Sequence, residues 1–149
     1  MSRLLVVAAL AAVACGVRSR PLPPELVQPE PASAVVAASN VDGVKLTWRR
    51  PTRYSSGKHM RDLGGFEIER AEGVDGIEFV RVGTVELNDQ TRFRQERTMQ
   101  WTDTSAVAGK TYRYRVIAYT VDDYRSRPAG PVTIEHRPPP AGTPPAPAR

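Results

Sequence analysis

Only one cysteine, Cys15, occurs among the 149 residues, so no disulfide can form within the chain and its fold must rest on an apolar core. Histidine is almost as scarce. His59 and His136 are the two, and neither stands at metal-ligand spacing from a suitable partner. The sequence has no Gly-rich phosphate loop, no serine elbow and no Cys pair. Without a convergent set of acid, base and nucleophile, the chain is expected not to be an enzyme and to need no cofactor, metal or small-molecule substrate. Long apolar runs are missing as well: Leu4 to Val13 falls short of the roughly 20 residues that span a bilayer. Nor does any stretch keep a helical period.

What is present begins with an export signal: one positive charge at Arg3, that apolar run, and small residues leading into Cys15. Ala12-Val13-Ala14 fits ordinary signal cleavage, whereas Ala12 to Cys15 resembles a bacterial lipobox, with Ala12 standing where a lipobox prefers leucine. The first reading implies a periplasmic or secreted protein. The second makes Cys15 a lipidation site that anchors the chain to a membrane, and Gly16 in place of aspartate resembles Gram-negative lipoproteins of the outer membrane. Residues 16–32 carry Pro21, Pro23, Pro24, Pro29 and Pro31 and are expected to form an extended stalk, reaching about 50 Å at ~3.1 Å per residue. Residues 138–149 share this composition and are expected to be disordered.

Residues 33–137 form one expected domain. Short β-rich runs cover Ala34 to Ala38, Val44 to Trp48, Gly65 to Arg70, Phe79 to Val85, Thr98 to Thr102, Thr111 to Thr120 and Gly130 to Glu135, which predicts an all-β, seven-stranded sandwich. Asp42-Gly43 and Asp75-Gly76 suit tight hairpins, and Pro128 with Pro131 should delay the last strand. Period two puts Tyr112, Tyr114, Val116 and Ala118 on a buried face, with Arg113, Arg115, Ile117 and Tyr119 opposite. Leu46, Trp48, Phe66, Ile68, Val80, Val82, Val132 and Ile134 complete the predicted core, in which Trp48 is a structural keystone.

Val44-Lys45-Leu46-Thr47-Trp48-Arg49-Arg50-Pro51 resembles the second strand of a fibronectin type III domain, and Gly65 to Arg70 resembles the third. Trp101-Thr102-Asp103-Thr104, followed by Gly109 to Ala118, resembles the turn into the sixth strand. The resemblance implies an immunoglobulin-like sandwich in which Tyr112 is the tyrosine-corner residue, its hydroxyl bonding back to the backbone. Arg61-Asp62 lacks the glycine of an adhesive Arg-Gly-Asp, so integrin-like adhesion is not implied.

In such a topology the second-to-third, fourth-to-fifth and sixth-to-seventh loops share one end, and all three are basic and aromatic. Arg49, Arg53, Tyr54, Arg92, Phe93, Arg94, Tyr124 and Arg125 are the candidate binding residues, because guanidinium forks grip oxyanions in pairs. Asp42, Glu72, Asp75, Glu78 and Asp103 are expected to make the other end acidic. Nucleic acid is disfavoured by export, and Glu67 and Glu69 beside Arg113 and Arg115 would neutralise the outer sheet face. The expected function is a non-catalytic envelope module that binds a protein or an anionic polymer. The alternative is an accessory or spacer subunit of a cell-surface enzyme or secretion complex.

Overall fold

A computed structural model describes residues 23–140; Cys15 and most of the proline-rich tail lie outside them. The strands are β1 Ser33–Asn40, β2 Gly43–Arg49, β3 Leu63–Glu72, β4 Val80–Glu86, β5 Thr98–Asp103, β6 Thr111–Thr120 and β7 Ala129–Glu135, with single helical turns α1 Pro24–Val27 and α2 Asp89–Arg92. They form two antiparallel sheets, ordered β1-β2-β5 and β4-β3-β6-β7. All seven expected strands are present, each within three residues of its predicted ends.

Alternation builds the core. Val44, Leu46 and Trp48 of β2 face Phe66 and Ile68 of β3 and Tyr112, Tyr114, Val116 and Ala118 of β6, and all are fully buried. Each large side chain contributes roughly 1.5–3 kcal/mol on burial. Trp48 meets Phe66 edge-on at 5.3 Å between ring centroids, a favoured aromatic geometry. At the seam between the sheets the Trp101 indole lies against Gly83, so closely that a Cβ there would stand 2.3 Å from the ring. The β1–β2 hairpin turns where Gly43 takes φ +133°, a region closed to most side chains.

Several expectations are corrected. In the β3–β4 loop the positive φ belongs to Gly73, while Gly76 sits where a Cβ would meet the Glu72 carbonyl oxygen at 2.3 Å. A bulge opposite Ile68 and Glu69 makes Val82 the extra residue of β4 and interrupts its alternation. Val80, placed in the core by periodicity, pairs with Arg70 at the end of this edge strand and is 59% exposed. Ile117, expected on an open face, is buried. Pro131 lies inside β7, which starts at Ala129. His136, just beyond β7, is buried with its Nδ1 2.8 Å from Ser39 Oγ.

The expected stalk ends early. From α1 onward the chain docks on the loop between β2 and β3: Pro29 is buried and bridges to Tyr54, the Glu30 N–H donates to the Arg53 carbonyl, and the Ser55 N–H donates to the Gln28 carbonyl. Proline denies a strand its donors, yet the Glu30 N–H and the Gln28 carbonyl on either side of Pro29 are enough to pair with a loop.

Outside the core, Glu67 is buried between Arg81 at 2.8 Å and Arg125, and Glu69 pairs with Arg115. Register explains why Arg113 has no such carboxylate among the described residues: it stands opposite Ala71, donates to the Gly76 carbonyl and lies over the Phe79 ring.

Candidate functional site: a basic cleft at one end of the sandwich

One end of the sandwich is built from residues 50–62 and 87–97. In the first loop the Tyr54 N–H donates to the Lys58 carbonyl, and Arg53 bridges to His59 across a turn at Gly57, φ +80°. In the second, the Asn88 side chain caps α2 by accepting the Thr91 N–H at 2.9 Å, as asparagine does at helix starts. Two arginines fasten the loops together. Arg50 donates to the carbonyls of Thr91 at 3.1 Å, Arg92 at 3.0 Å and Arg94, holding the last carbonyls of the turn. Arg92 donates to Leu63 at 3.0 Å and Leu87 at 3.2 Å and pairs with Asp89.

Between the loops lies a cleft of about 570 Å³. Buried Pro51, Met60 and Leu63 form its floor, while exposed Arg61, Phe93, Arg94 and Arg97 rim it, with His59 beside them. Among the described residues, no hydrogen bond or ion pair engages the side chains of Arg61, Arg94 or Arg97. Phe93 is 65% exposed. The local excess of positive charge is felt by Arg50, whose pKa is lowered by burial and then by Arg97, against an opposing pull from Glu96.

The predicted binding residues divide. Phe93 and Arg94 lie in the cleft with their side chains available. Arg92 lines it too, but its guanidinium is consumed in bracing backbone carbonyls. Tyr54 is half-buried and donates to Asp62 at 2.6 Å; its hydroxyl pKa is pushed up to about 12 by burial and by that carboxylate. Arg53 donates to the Gly57 carbonyl, and Arg49 is exposed at the end of β2. Arg125 turns to Glu67 and Asp123 on the outer sheet face, and Tyr124 precedes it in the β6–β7 loop. Arg61 and Arg97 complete the cleft. Nothing in their local sequence sets them apart from neighbouring arginines; only the folded loops select them.

The opposite end is less acidic than composition suggests. Asp103 is buried and forms a frame between the sheets: its carboxylate accepts from Tyr114 at 2.8 Å, from Arg70 at 2.7 Å and from both the N–H and the hydroxyl of Ser105. Burial opposes its ionisation, but these donors outweigh it and hold the pKa below the ordinary carboxylate value. Next to it the Tyr112 hydroxyl accepts the Val107 N–H at 3.0 Å, tying the β5–β6 crossover to β6.

This topology is shared by solved structures. The chain superposes on the fibronectin type III domain of the human KIAA0970 protein with a TM-score of 0.53 at 20% identity, over 79% of this chain and 82% of that one. The fold is that of a fibronectin type III domain. A titin segment aligns over 74% of this chain at a TM-score of 0.53 and 20% identity, and the twitchin kinase region of C. elegans over 74% at 0.52 and 21%. The chain spans only 32% and 17% of those two structures. No protein-family model and no curated protein matches the sequence. Within the fibronectin type III sandwich, the cleft occupies the end at which β2 and β4 finish and β3 and β5 begin.

Proposed function

We propose that this chain is a non-catalytic binding module of a bacterial cell envelope and that the cleft receives an anionic ligand. The observation that carries this reading is the convergence around one cleft of the Arg61, Arg94 and Arg97 guanidiniums, which are unpaired among the described residues. Guanidinium binds oxyanions in a planar, two-pronged way and keeps its charge at any physiological pH. Because Arg50 and Arg92 already brace the loops, a ligand meets a preformed site and little ordering opposes its binding.

The test is a titration with inorganic polyphosphate followed by nuclear magnetic resonance. The expected result is shifts confined to residues 50–62 and 87–97, weakened at least tenfold by Arg94→Glu with Arg97→Glu and little changed by Arg125→Glu. Equal binding by the double variant would refute the assignment. The envelope address rests on the lipobox resemblance at Cys15. Intact mass of the membrane-extracted protein, beside Cys15→Ser, tests it: a lipid-sized gain that the variant loses supports an anchor, and a cleaved, unmodified chain removes it.

A second reading, docking to a protein partner as an accessory subunit, is favoured by Val74 and Ile77, which stand 65% and 83% exposed in the β3–β4 loop. Ile77→Asp should then abolish a salt-resistant association without altering the fold.

A further inference from the structure

Phe93 is the feature of the cleft that an anionic ligand alone leaves unexplained. It follows α2 directly, projects into solvent at 65% exposure, and has Arg94 and Arg97 close behind it in sequence and Arg61 across the cleft. An exposed aromatic among unpaired guanidiniums is poorly used by a soluble polyanion, which would neutralise the charges and leave the ring in water. A bilayer containing anionic lipid supplies both partners, phosphate headgroups for the arginines and acyl chains for the ring. Aromatic side chains favour this interface because one part of it is apolar and the other wet.

Resting on the anionic-ligand reading above, we infer that this end of the sandwich is a membrane-docking surface, with Phe93 inserting below the phosphates of an anionic leaflet and Arg61, Arg94 and Arg97 binding them. Two structural facts support that orientation. The loop bearing Phe93 is fastened by Arg50 and Arg92 to the ends of β2, β3 and β4, so the ring is presented on a rigid base. The chain also enters the domain at this end, where residues 28–30 dock on the β2–β3 loop. Each arginine near an anionic surface contributes about a fivefold gain in affinity, so three give a preference of roughly a hundredfold over a neutral bilayer. Salt should erode that preference as the screening length shortens.

The experiment uses the full chain carrying Phe93→Trp and vesicles of phosphatidylcholine with or without phosphatidylglycerol, containing brominated acyl chains that quench indole fluorescence on contact. The unsubstituted chain, with Trp48 and Trp101 alone, is the control. The expected result is extra quenching of the variant by anionic vesicles, absent with neutral ones and lost when Arg94→Glu and Arg97→Glu are added. No extra quenching, in a protein that still binds soluble polyphosphate through the same arginines, would overturn membrane docking and leave the anionic-ligand reading standing. Failure of both would remove both. Equal quenching by neutral and anionic vesicles would also overturn the inference, because the arginines would then have no part in it.

Discussion

Replacing Asp103 by asparagine preserves its size and removes the charge that three side chains address. Its carboxylate is buried and accepts from Tyr114, Arg70 and Ser105. The amide can keep one oxygen acceptor, but its NH2 then faces a group that also donates. Hydrogen bonds to a charged partner contribute about 1.5–3 kcal/mol each, and removing one member of a buried ion pair costs about 3–5 kcal/mol because the other is left uncompensated. Arg70 retains some solvent, its side chain being 20% exposed, so the expected cost of Asp103→Asn is about 3 kcal/mol, or a fall in Tm of roughly 10–20 °C. Tyr114→Phe, which removes a single bond, should cost about 1–1.5 kcal/mol. The two should couple by at least about 1 kcal/mol in a double-mutant cycle read by urea unfolding. A loss below about 1 kcal/mol for Asp103→Asn, or strict additivity with Tyr114→Phe, would refute the view that this carboxylate joins the sheets. The pH dependence supplies a second check. A carboxyl pKa held below its ordinary 3.8 stabilises the fold above that value, and this contribution is lost as pH falls through the folded pKa. The acid limb of the stability curve should therefore flatten in Asp103→Asn.

Three further outcomes are expected. Gly83→Val would drive a side chain into the Trp101 indole and should destabilise the domain by about 1–3 kcal/mol, with a change in tryptophan emission reporting the displaced ring. Arg50→Met leaves the carbonyls of Thr91, Arg92 and Arg94 without their shared donor; hydrogen exchange should accelerate in residues 88–97 while the strands stay protected. The Tyr114 and Tyr54 hydroxyls have pKa values raised by burial and by Asp103 and Asp62 respectively. Their contribution is complete below the ordinary value of 10.0 and is lost as pH rises through the folded values, so Tyr114→Phe should soften alkaline unfolding followed by circular dichroism.

The strand pattern was legible because period two needs only neighbouring residues. β6 shows it directly: Tyr112, Tyr114, Val116 and Ala118 are buried as alternation requires. Alternation failed at Val80 because nothing covers the end of an edge strand, and at Ile117 because what covers an outer face comes from elsewhere in the chain. Asp103 reads as one more acidic loop residue until β3 and β6 bring Arg70 and Tyr114 to it.

The candidate cleft divides in the same way. That one end of the sandwich would be rich in arginine followed from sequence and topology together. Which guanidiniums remain available did not, since Arg50, Arg92 and Arg125 differ from Arg61, Arg94 and Arg97 only in the carbonyls and carboxylates that the fold places within their reach. Sequence alone determined the all-β class, the positions of the strands, most of the inward-facing residues and the excess of basic charge in three loops, because each depends on local periodicity and composition. Tertiary structure alone decided the buried Asp103 frame, the docking of residues 28–30 and the choice of free arginines, because hydrogen bonds and ion pairs select partners by distance in space and not by separation along the chain.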